Sequence, residues 1–221
     1  MNREKPQTTP EDFKDFLAAP DKDGKPTVVI GGHAVNLWAD FYSEAEPEIR
    51  QFEPFVSKDL DLLGGHEAVA WIARKLKQEP MSPPKGDPNP VLGRFIFTTS
   101  RSQTTSIEVL FTVYGVLPDE IRHAAIIVHS PNLRTTVRLP HPVTCLKAKT
   151  HNAAQLNQQH RQDVKHVRIL LLVNRAFLRD VIHQAEQGQV SERAAVSSLE
   201  VLFKFTQSKI AQEAAAKHSF N

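Results

Sequence analysis

The chain has 221 residues and a formal net charge of +2, and its composition excludes several classes of protein. Hydrophobic residues make up 40% and charged residues 24%, which is ordinary for a globular protein with a sizeable core. So small a net charge neither requires nor excludes a nucleic-acid partner. The single cysteine, Cys145, excludes an internal disulfide and a thiolate zinc cluster, and it favours a reducing cytoplasm. A polar N-terminus and the lack of eighteen consecutive apolar residues predict no signal peptide and no membrane span.

The first part of the chain predicts a strand followed directly by a helix. Thr9-Pro10-Glu11-Asp12 has the features of an earlier helix start, and the β-branched run over residues 27–30 predicts a buried strand. Gly31-Gly32 then forms a predicted turn before an amphipathic helix over residues 33–42. A glycine pair at a helix N-terminus can bind phosphate, but a tight turn requires glycine as well.

Two carboxylates lie within the next predicted strand, residues 57–63. Side chains alternate along a strand, so Asp59 and Asp61 should leave the same face with their Cα atoms ~6.7 Å apart, while Leu60 and Leu62 point into a core. Two adjacent carboxylates repel each other unless a cation lies between them. The pattern therefore predicts either a metal site or an exposed strand with two solvated acids, since D-x-D is short and common.

A third carboxylate occurs further along the chain. The predicted elements there are a helix over residues 66–77, a proline-rich surface loop over 79–90, and a hairpin of two strands over 91–98 and 104–114. The second strand of the hairpin alternates clearly, with Ile107 and Val109 on one face and Glu108 on the other. Glu108 is either an edge-strand acid that faces water or a third acid directed at Asp59 and Asp61.

The composition changes near residue 142, from strand-rich to helical. The remaining predicted elements are strands over 124–129 and 133–139, then helices over 146–156, 161–187 (continuous, or kinked near 177) and 191–217. We therefore expect an α+β (α/β) protein, with a mixed β-sheet core in residues 1–142 and a helical region in residues 143–221 packed on it. The basic residues from Lys147 to Arg179 form either an RNA-facing surface or a solvated helix face.

The order of these features predicts one site for Mg²⁺ and phosphate. Three carboxylates on neighbouring strands supply the hard oxygen ligands that Mg²⁺ prefers, and they leave positions for water and phosphate. Gly31-Gly32 would hold a triphosphate, and a lysine would neutralise the charge that develops on it. Two metal ions ~4 Å apart could activate an attacking hydroxyl and stabilise the pyrophosphate leaving group.

Two segments, Gly31-Gly32-His33-Ala34 and Ser57-Lys58-Asp59-Leu60-Asp61, resemble motifs of the nucleotidyltransferase superfamily, which has the polymerase-beta-like fold. Residues 146–152 and 161–166 are similar to the third motif of AbiEii-type proteins, the abortive-infection nucleotidyltransferase toxins and their relatives. The resemblance covers residues 27–170. It implies transfer of a nucleoside monophosphate from an NTP to an RNA, protein or small-molecule acceptor, with Mg²⁺ or Mn²⁺ as cofactor. It also implies a toxin with a cognate antitoxin.

The resemblance assigns a role to each matching residue. Asp59 and Asp61 would bind metal, and Glu108 would be the third ligand or the general base. Lys149 matches the family lysine best and would act in catalysis, and Lys147 is the next best match. The residues expected to contact nucleotide are Gly31, Gly32, Ser57, Lys58, Lys147 and Asp163, of which Asp163 could instead orient Lys149.

Two histidines depart from the family pattern. His33 stands where many members carry a hydroxyl that contacts phosphate, and His166 stands where a second aspartate is expected. A non-catalytic member of the same fold, which binds nucleotide or a partner, is therefore the alternative. A glycosyltransferase that uses D-x-D to bind a sugar-nucleotide diphosphate is a more distant one, because only 58 residues precede Asp59.

Overall fold

The structure, a computed structural model, describes residues 7–84, 86–130 and 132–220. Over these residues the chain is α+β, with one mixed six-stranded sheet, seven α-helices and two 3₁₀ helices. The chain divides into two compact units, one formed by Met1–Leu37 with Pro54–His141 and the other by Trp38–Glu53 with Pro142–Asn221. The second unit thus includes a short segment from the first part of the chain, which the sequence alone assigned to the N-terminal core.

The six predicted strands are all present, with some bounds shifted by a few residues. In chain order the elements are a 3₁₀ helix at Pro10–Phe16, β1 Val28–Ile30, α1 Gly31–Tyr42, a 3₁₀ helix at Pro47–Phe52, β2 Leu60–Leu63, α2 His66–Leu76, β3 Val91–Thr98, β4 Thr104–Leu110, α3 Pro118–Ala124, β5 Ile126–Ser130, β6 Thr135–Leu139, α4 Pro142–Gln155, α5 Asp163–Glu186, α6 Glu192–Thr206 and α7 Lys209–His218. Of the helices in the described part of the chain, none has the length and apolar character needed to cross a membrane.

The sheet of the first unit has the strand order β3-β4-β2-β1-β6-β5. β2 runs parallel to β4 and β1 parallel to β6, whereas the β1-β2, β3-β4 and β5-β6 pairs are antiparallel. Leu60, Leu62 and Ile107 are fully buried, which confirms the predicted core face of β2 and β4. Because β4 is an interior strand, the sequence-based alternative that Glu108 lies on an edge strand is wrong.

The second unit is helical, as the sequence predicts for its C-terminal part. α4 begins at Pro142, four residues before the predicted start, because proline lacks an N–H that the first helical turn would leave without a partner. α5 continues for 24 residues with no break near residue 177. The single long helix predicted over 191–217 is wrong. Ser208 ends the run, since its side chain accepts a hydrogen bond from the backbone N–H of Ala211 and caps a separate helix, α7.

Candidate functional site

Asp61 lies in β2 beside the junction where β1 passes into α1. It is in register with Ile30, the last residue of β1, and Gly31 begins α1. A Cβ added to Gly31 would overlap the Asp61 Oδ2 and lie 3.0 Å from its Cγ. Gly31 also has a φ of 69°, which glycine adopts far more readily than other residues. The junction therefore requires glycine for two reasons, and the missing side chain leaves the space that the Asp61 carboxylate occupies.

The glycine pair does not form a turn ahead of the helix, and that prediction is wrong. α1 includes Gly31 and Gly32 in its first turn, because the positive φ of Gly31 redirects the chain within one residue. Gly31 is partly exposed, whereas Gly32 is buried. The free N–H groups of a helix N-terminus stabilise a nearby anion, so the Asp61 carboxylate lies in a favourable field.

Asp59 lies just before β2 rather than within it, since β2 begins at Leu60. The predicted strand over residues 57–63 is thus too long at its start, so the alternation of side chains along a strand applies to Asp61 and does not extend to Asp59. Ser57 instead forms an isolated antiparallel bridge with Thr8. The carbonyl of Lys58 accepts a hydrogen bond from the Thr105 hydroxyl, which ties this segment to β4. Asp59 and Asp61 are both partly exposed.

Glu108 lies beside Asp61, because the parallel pairing of β2 and β4 places these two residues in register. Side chains of paired residues on neighbouring strands leave the same face, with about 5 Å between the strands. On the other side of Glu108, Arg94 of β3 is also in register, and its Nε lies 2.8 Å from Glu108 Oε1. The Ser106 Oγ lies 3.4 Å from the same oxygen. One face of the sheet thus carries a row of three charged residues, the basic Arg94 followed by the acids Glu108 and Asp61, which we call the charged row.

The predicted set of three metal-binding acids is not seen as a cluster. Among the residues that the structure describes, no group of three or more His, Cys, Asp or Glu side chains could hold a metal ion. Glu108 is in contact with Arg94, and the prediction of a metal site rests first on Asp59 and Asp61. Their chemistry fits Mg²⁺, which proteins usually hold through one or two carboxylates together with substrate phosphates and water.

Arg94 is the residue that sequence reasoning missed. A signal for it exists in the predicted hairpin, because strands over 91–98 and 104–114 joined by a turn near residue 101 place residue 94 opposite residue 108. The structure has this register, with Thr98 opposite Thr104 and Arg94 opposite Glu108. An arginine facing an acid across two strands is the arrangement that cross-strand pairing favours.

The predicted lysine and aspartate of the third motif are in contact within the second unit. Lys149 Nζ on α4 lies 3.0 Å from the Asp163 Oδ1, and Arg161 Nε lies 2.5 Å from the Asp163 Oδ2. Burial raises the pKa of Asp163, but the charges and hydrogen bonds of Lys149 and Arg161 outweigh it and hold the pKa below its ordinary value. Lys147 is two residues earlier, about 200° around the helix, so the two lysines point in different directions.

His33 is a core residue in the first turn of α1. Its side chain is fully buried, its Nε2 lies 3.2 Å from the Thr8 Oγ1, and its ring packs edge-on against Phe13 with 5.1 Å between centroids. Burial lowers the pKa of His33 to about 3, so the ring is neutral at physiological pH. His166, the other departure from the family pattern, is also buried.

A separate cleft of about 660 Å³ lies in the first unit, at the opposite end of β1 and β2 from Asp61. Val28 and Leu63 line it, together with Arg138. Arg138 Nη1 lies 2.8 Å from Asp21 Oδ2, and its Nη2 donates to the carbonyl of Arg122 at 2.9 Å. The arginine in this cleft is thus already bound to its neighbours, and none of the predicted site residues lines the cleft.

The fold shown is therefore α+β with a mixed six-stranded sheet, and a nucleotidyltransferase core stays a prediction. Comparison of the chain with protein-family models, curated proteins and solved structures finds no match. The features that bear on function are therefore the junction between β1 and α1 and the charged row beside it.

Proposed function

We propose that the protein is an Mg²⁺-dependent nucleotidyltransferase that transfers a nucleoside monophosphate from an NTP to an RNA, protein or small-molecule acceptor. One observation carries the proposal: the Asp61 carboxylate lies against Gly31, where β1 passes into α1. This junction brings hard oxygen ligands and the free N–H groups of a helix N-terminus to one place. A metal–triphosphate complex needs both, because the cation binds carboxylates and the phosphates accept hydrogen bonds.

The predicted residues other than Glu108 and Lys147 each have a role in this proposal. Asp59 and Asp61 would hold Mg²⁺, which when bound would offset the negative charge of the triphosphate. Gly31 and Gly32 would let the backbone approach the phosphates, next to Ser57 and Lys58. The resemblance also assigns a catalytic role to Lys149, which contacts Asp163 within the second unit. The same resemblance extends the proposal to a toxin with a cognate antitoxin.

The first test is binding, measured as a shift of the melting temperature with Mg²⁺ and each NTP in turn. A ligand that binds the folded state alone stabilises it, by about 2.7 kcal/mol at a hundred times its Kd. We expect at least one NTP to raise the melting temperature in the presence of Mg²⁺. The Asp61→Asn variant should lose this shift. Asp119→Asn, which removes an acid whose side chain is 82% exposed, should retain it.

The second test separates catalysis from binding. An active transferase releases pyrophosphate when the stabilising NTP is mixed with total RNA or a protein extract, and Asp61→Asn should abolish the release. If no NTP stabilises the wild-type protein with Mg²⁺ or Mn²⁺, the proposal is wrong. A UDP-sugar that stabilises it better than any NTP would instead indicate the glycosyltransferase alternative.

The alternative of a non-catalytic member is favoured by the ion pair between Glu108 and Arg94. A carboxylate that is held by an arginine must give up that contact before it can accept a proton from a substrate. This alternative predicts NTP-dependent stabilisation with no pyrophosphate release under any condition that supports binding.

A further inference from the structure

We infer that Arg94 regulates the proposed metal site, because Arg94 and a divalent cation compete for the Glu108 carboxylate. The inference rests on the proposed function, since it assumes that Asp59 and Asp61 bind the cation. In the state that the structure describes, the Glu108 carboxylate forms an ion pair with Arg94. When Arg94 releases it, Glu108 becomes available as a third oxygen ligand beside Asp61.

The backbone geometry favours this competition. Glu108 is directly beside Asp61 on one side and directly opposite Arg94 on the other, so a single carboxylate lies between a candidate cation site and a fixed cation. Arg94 itself is held in place by Met81, since the backbone N–H and carbonyl of each residue bond to those of the other at 2.8 and 2.9 Å. The backbone of Arg94 is thus held on the side of β3 away from β4, while its guanidinium contacts Glu108.

The exposure of the two side chains also favours it. The Glu108 side chain is 13% exposed, whereas the Arg94 side chain is 45% exposed. An arginine that is half in water can release its partner at low cost, because solvent rehydrates the guanidinium. Glu108 is mostly shielded from water and has Asp61 as its neighbour. It therefore needs a positive charge nearby, which Arg94 supplies in one state and the bound cation in the other.

A purely structural role for the ion pair makes a different prediction. If Arg94 only joins β3 to β4, its removal lowers stability. Cation affinity then rises only by the small electrostatic effect of removing one positive charge. If Arg94 competes with the cation, its removal strengthens cation binding, and the gain depends on Glu108. Cation affinity therefore distinguishes the two roles, whereas stability does not.

The experiment is a double-mutant cycle read by calorimetric titration with Mg²⁺ alone, repeated with Mn²⁺. The proteins are wild type, Arg94→Gln, Glu108→Gln and the double variant. We expect Arg94→Gln to bind the cation about two- to fivefold more tightly than wild type, the range that a partly exposed ion pair supports. In the Glu108→Gln background, the same change should give a smaller gain.

Arg101→Gln is the control for the loss of one positive charge. Arg101 contacts Asp12 in the same unit, with its Nε 3.2 Å from the Asp12 Oδ1, and it has no place in the charged row. The gain from Arg94→Gln should exceed the gain from Arg101→Gln. Arg94→Lys provides a second variant that keeps the charge, and we expect its affinity to lie between those of wild type and Arg94→Gln.

The outcomes separate the inference from the function it rests on. If wild type binds Mg²⁺ and Arg94→Gln binds it no more tightly than Arg101→Gln does, competition is wrong and the metal site stands. An equal gain in both backgrounds likewise excludes a ligand role for Glu108. If neither wild type nor any Arg94 variant binds Mg²⁺ or Mn²⁺, the proposed metal site fails and the inference fails with it.

Discussion

Gly31 is a position at which both the backbone conformation and the neighbouring Asp61 carboxylate require glycine. Its φ of 69° is unfavourable for residues with a side chain, and a Cβ would overlap the Asp61 carboxylate. Gly24 offers a comparison within the same unit, because its φ is 73° and a Cβ there would meet no atom within 4 Å. Both glycines thus adopt a positive φ, but a Cβ would meet a neighbouring side chain only at Gly31.

We expect Gly31→Ala to destabilise the protein more than Gly24→Ala. The left-handed conformation alone costs an alanine about 1–2 kcal/mol, and this cost applies to both variants. At position 31 the Asp61 carboxylate must also move, so Mg²⁺-dependent NTP stabilisation should be lost as well. Urea denaturation and the melting-temperature assay measure the two effects. Equal destabilisation with nucleotide binding retained would show that Asp61 can move without consequence.

Residues differ in how far the sequence alone predicts them. The burial of Leu60, Leu62 and Ile107 follows from a local alternation, and the structure confirms it. The strand predicted over residues 57–63 includes Asp59, whereas β2 begins at Leu60 and Ser57 bridges Thr8, which lies 49 positions earlier in the chain. No local pattern carries a contact of that separation. Asp61 and Glu108 were expected on neighbouring strands, but their register depends on the parallel pairing of β2 with β4.

At the scale of elements, one glutamate joins the 3₁₀ helix at Pro47–Phe52 to α5 within the second unit. Glu46, which precedes the 3₁₀ helix, accepts hydrogen bonds from Arg175 Nε at 2.8 Å and Nη2 at 2.6 Å, and from Arg179 Nη1 at 3.2 Å. The Glu46 side chain is 6% exposed. Hydrogen bonds from Arg175 are the main reason that the pKa of Glu46 is lowered. A shielded carboxylate with this many partners fixes the segment on the helix.

We expect Glu46→Gln to lower the free energy of unfolding by about 1–2 kcal/mol, since it weakens charged hydrogen bonds whose arginines are partly exposed. Glu48→Gln is the matched control. Glu48 Oε1 also lies 2.9 Å from Arg175 Nη2, but its side chain is 62% exposed. Its loss should change stability by much less. Urea denaturation of both variants tests this, and equal effects would contradict the role assigned to the buried carboxylate.

Elements also show where local sequence signals were present but overlooked. Ser208 caps α7 and divides the predicted helix over 191–217 into α6 and α7. Serine is a common N-cap, so the break was visible in principle, but the apolar pattern on both sides of it reads as continuous. The start of α4 at Pro142 is a second such signal, because proline is common at the first helical position and the prediction begins the helix at residue 146. In contrast, the predicted stop at Gly188 agrees with the end of α5.

At the scale of the whole molecule, several groups make stability depend on pH in the same direction. The pKa of His33 falls from 6.5 to about 3 because the side chain is buried, so the unfolded chain binds a proton that the folded chain does not. The pKa values of Glu46 and Asp163 are also lowered by their basic partners. For each group, the contribution to the free energy of unfolding is fully present above the pKa that the group has in the unfolded chain. It is lost as the pH falls towards the pKa that the group has in the folded chain.

We therefore expect the free energy of unfolding to fall as pH decreases from 6.5 and to fall more steeply near pH 4, where the acids begin to contribute. One proton bound only by the unfolded state gives a slope of about 1.4 kcal/mol per pH unit. In His33→Gln, the dependence of the free energy of unfolding on pH between pH 6 and 4.5 should be smaller by about 1.4 kcal/mol per pH unit, the contribution of one proton. Urea denaturation at several pH values measures this, and the slopes are compared because the substitution also changes stability at neutral pH. An unchanged slope would exclude His33 as the source.

The Thr8 hydroxyl has a consequence for which nitrogen of His33 carries the proton. A hydroxyl has one hydrogen, and Thr8 donates it to the carbonyl of Ser57 at 2.9 Å. The contact of 3.2 Å with His33 Nε2 must therefore use the hydroxyl oxygen as acceptor, which requires the Nε2–H tautomer of the neutral ring. One side chain thus connects the start of α1 to the segment that leads into Asp59. The two sides of the candidate site are thus joined by one hydroxyl that donates one hydrogen bond and accepts another, so serine could replace the threonine and valine could not.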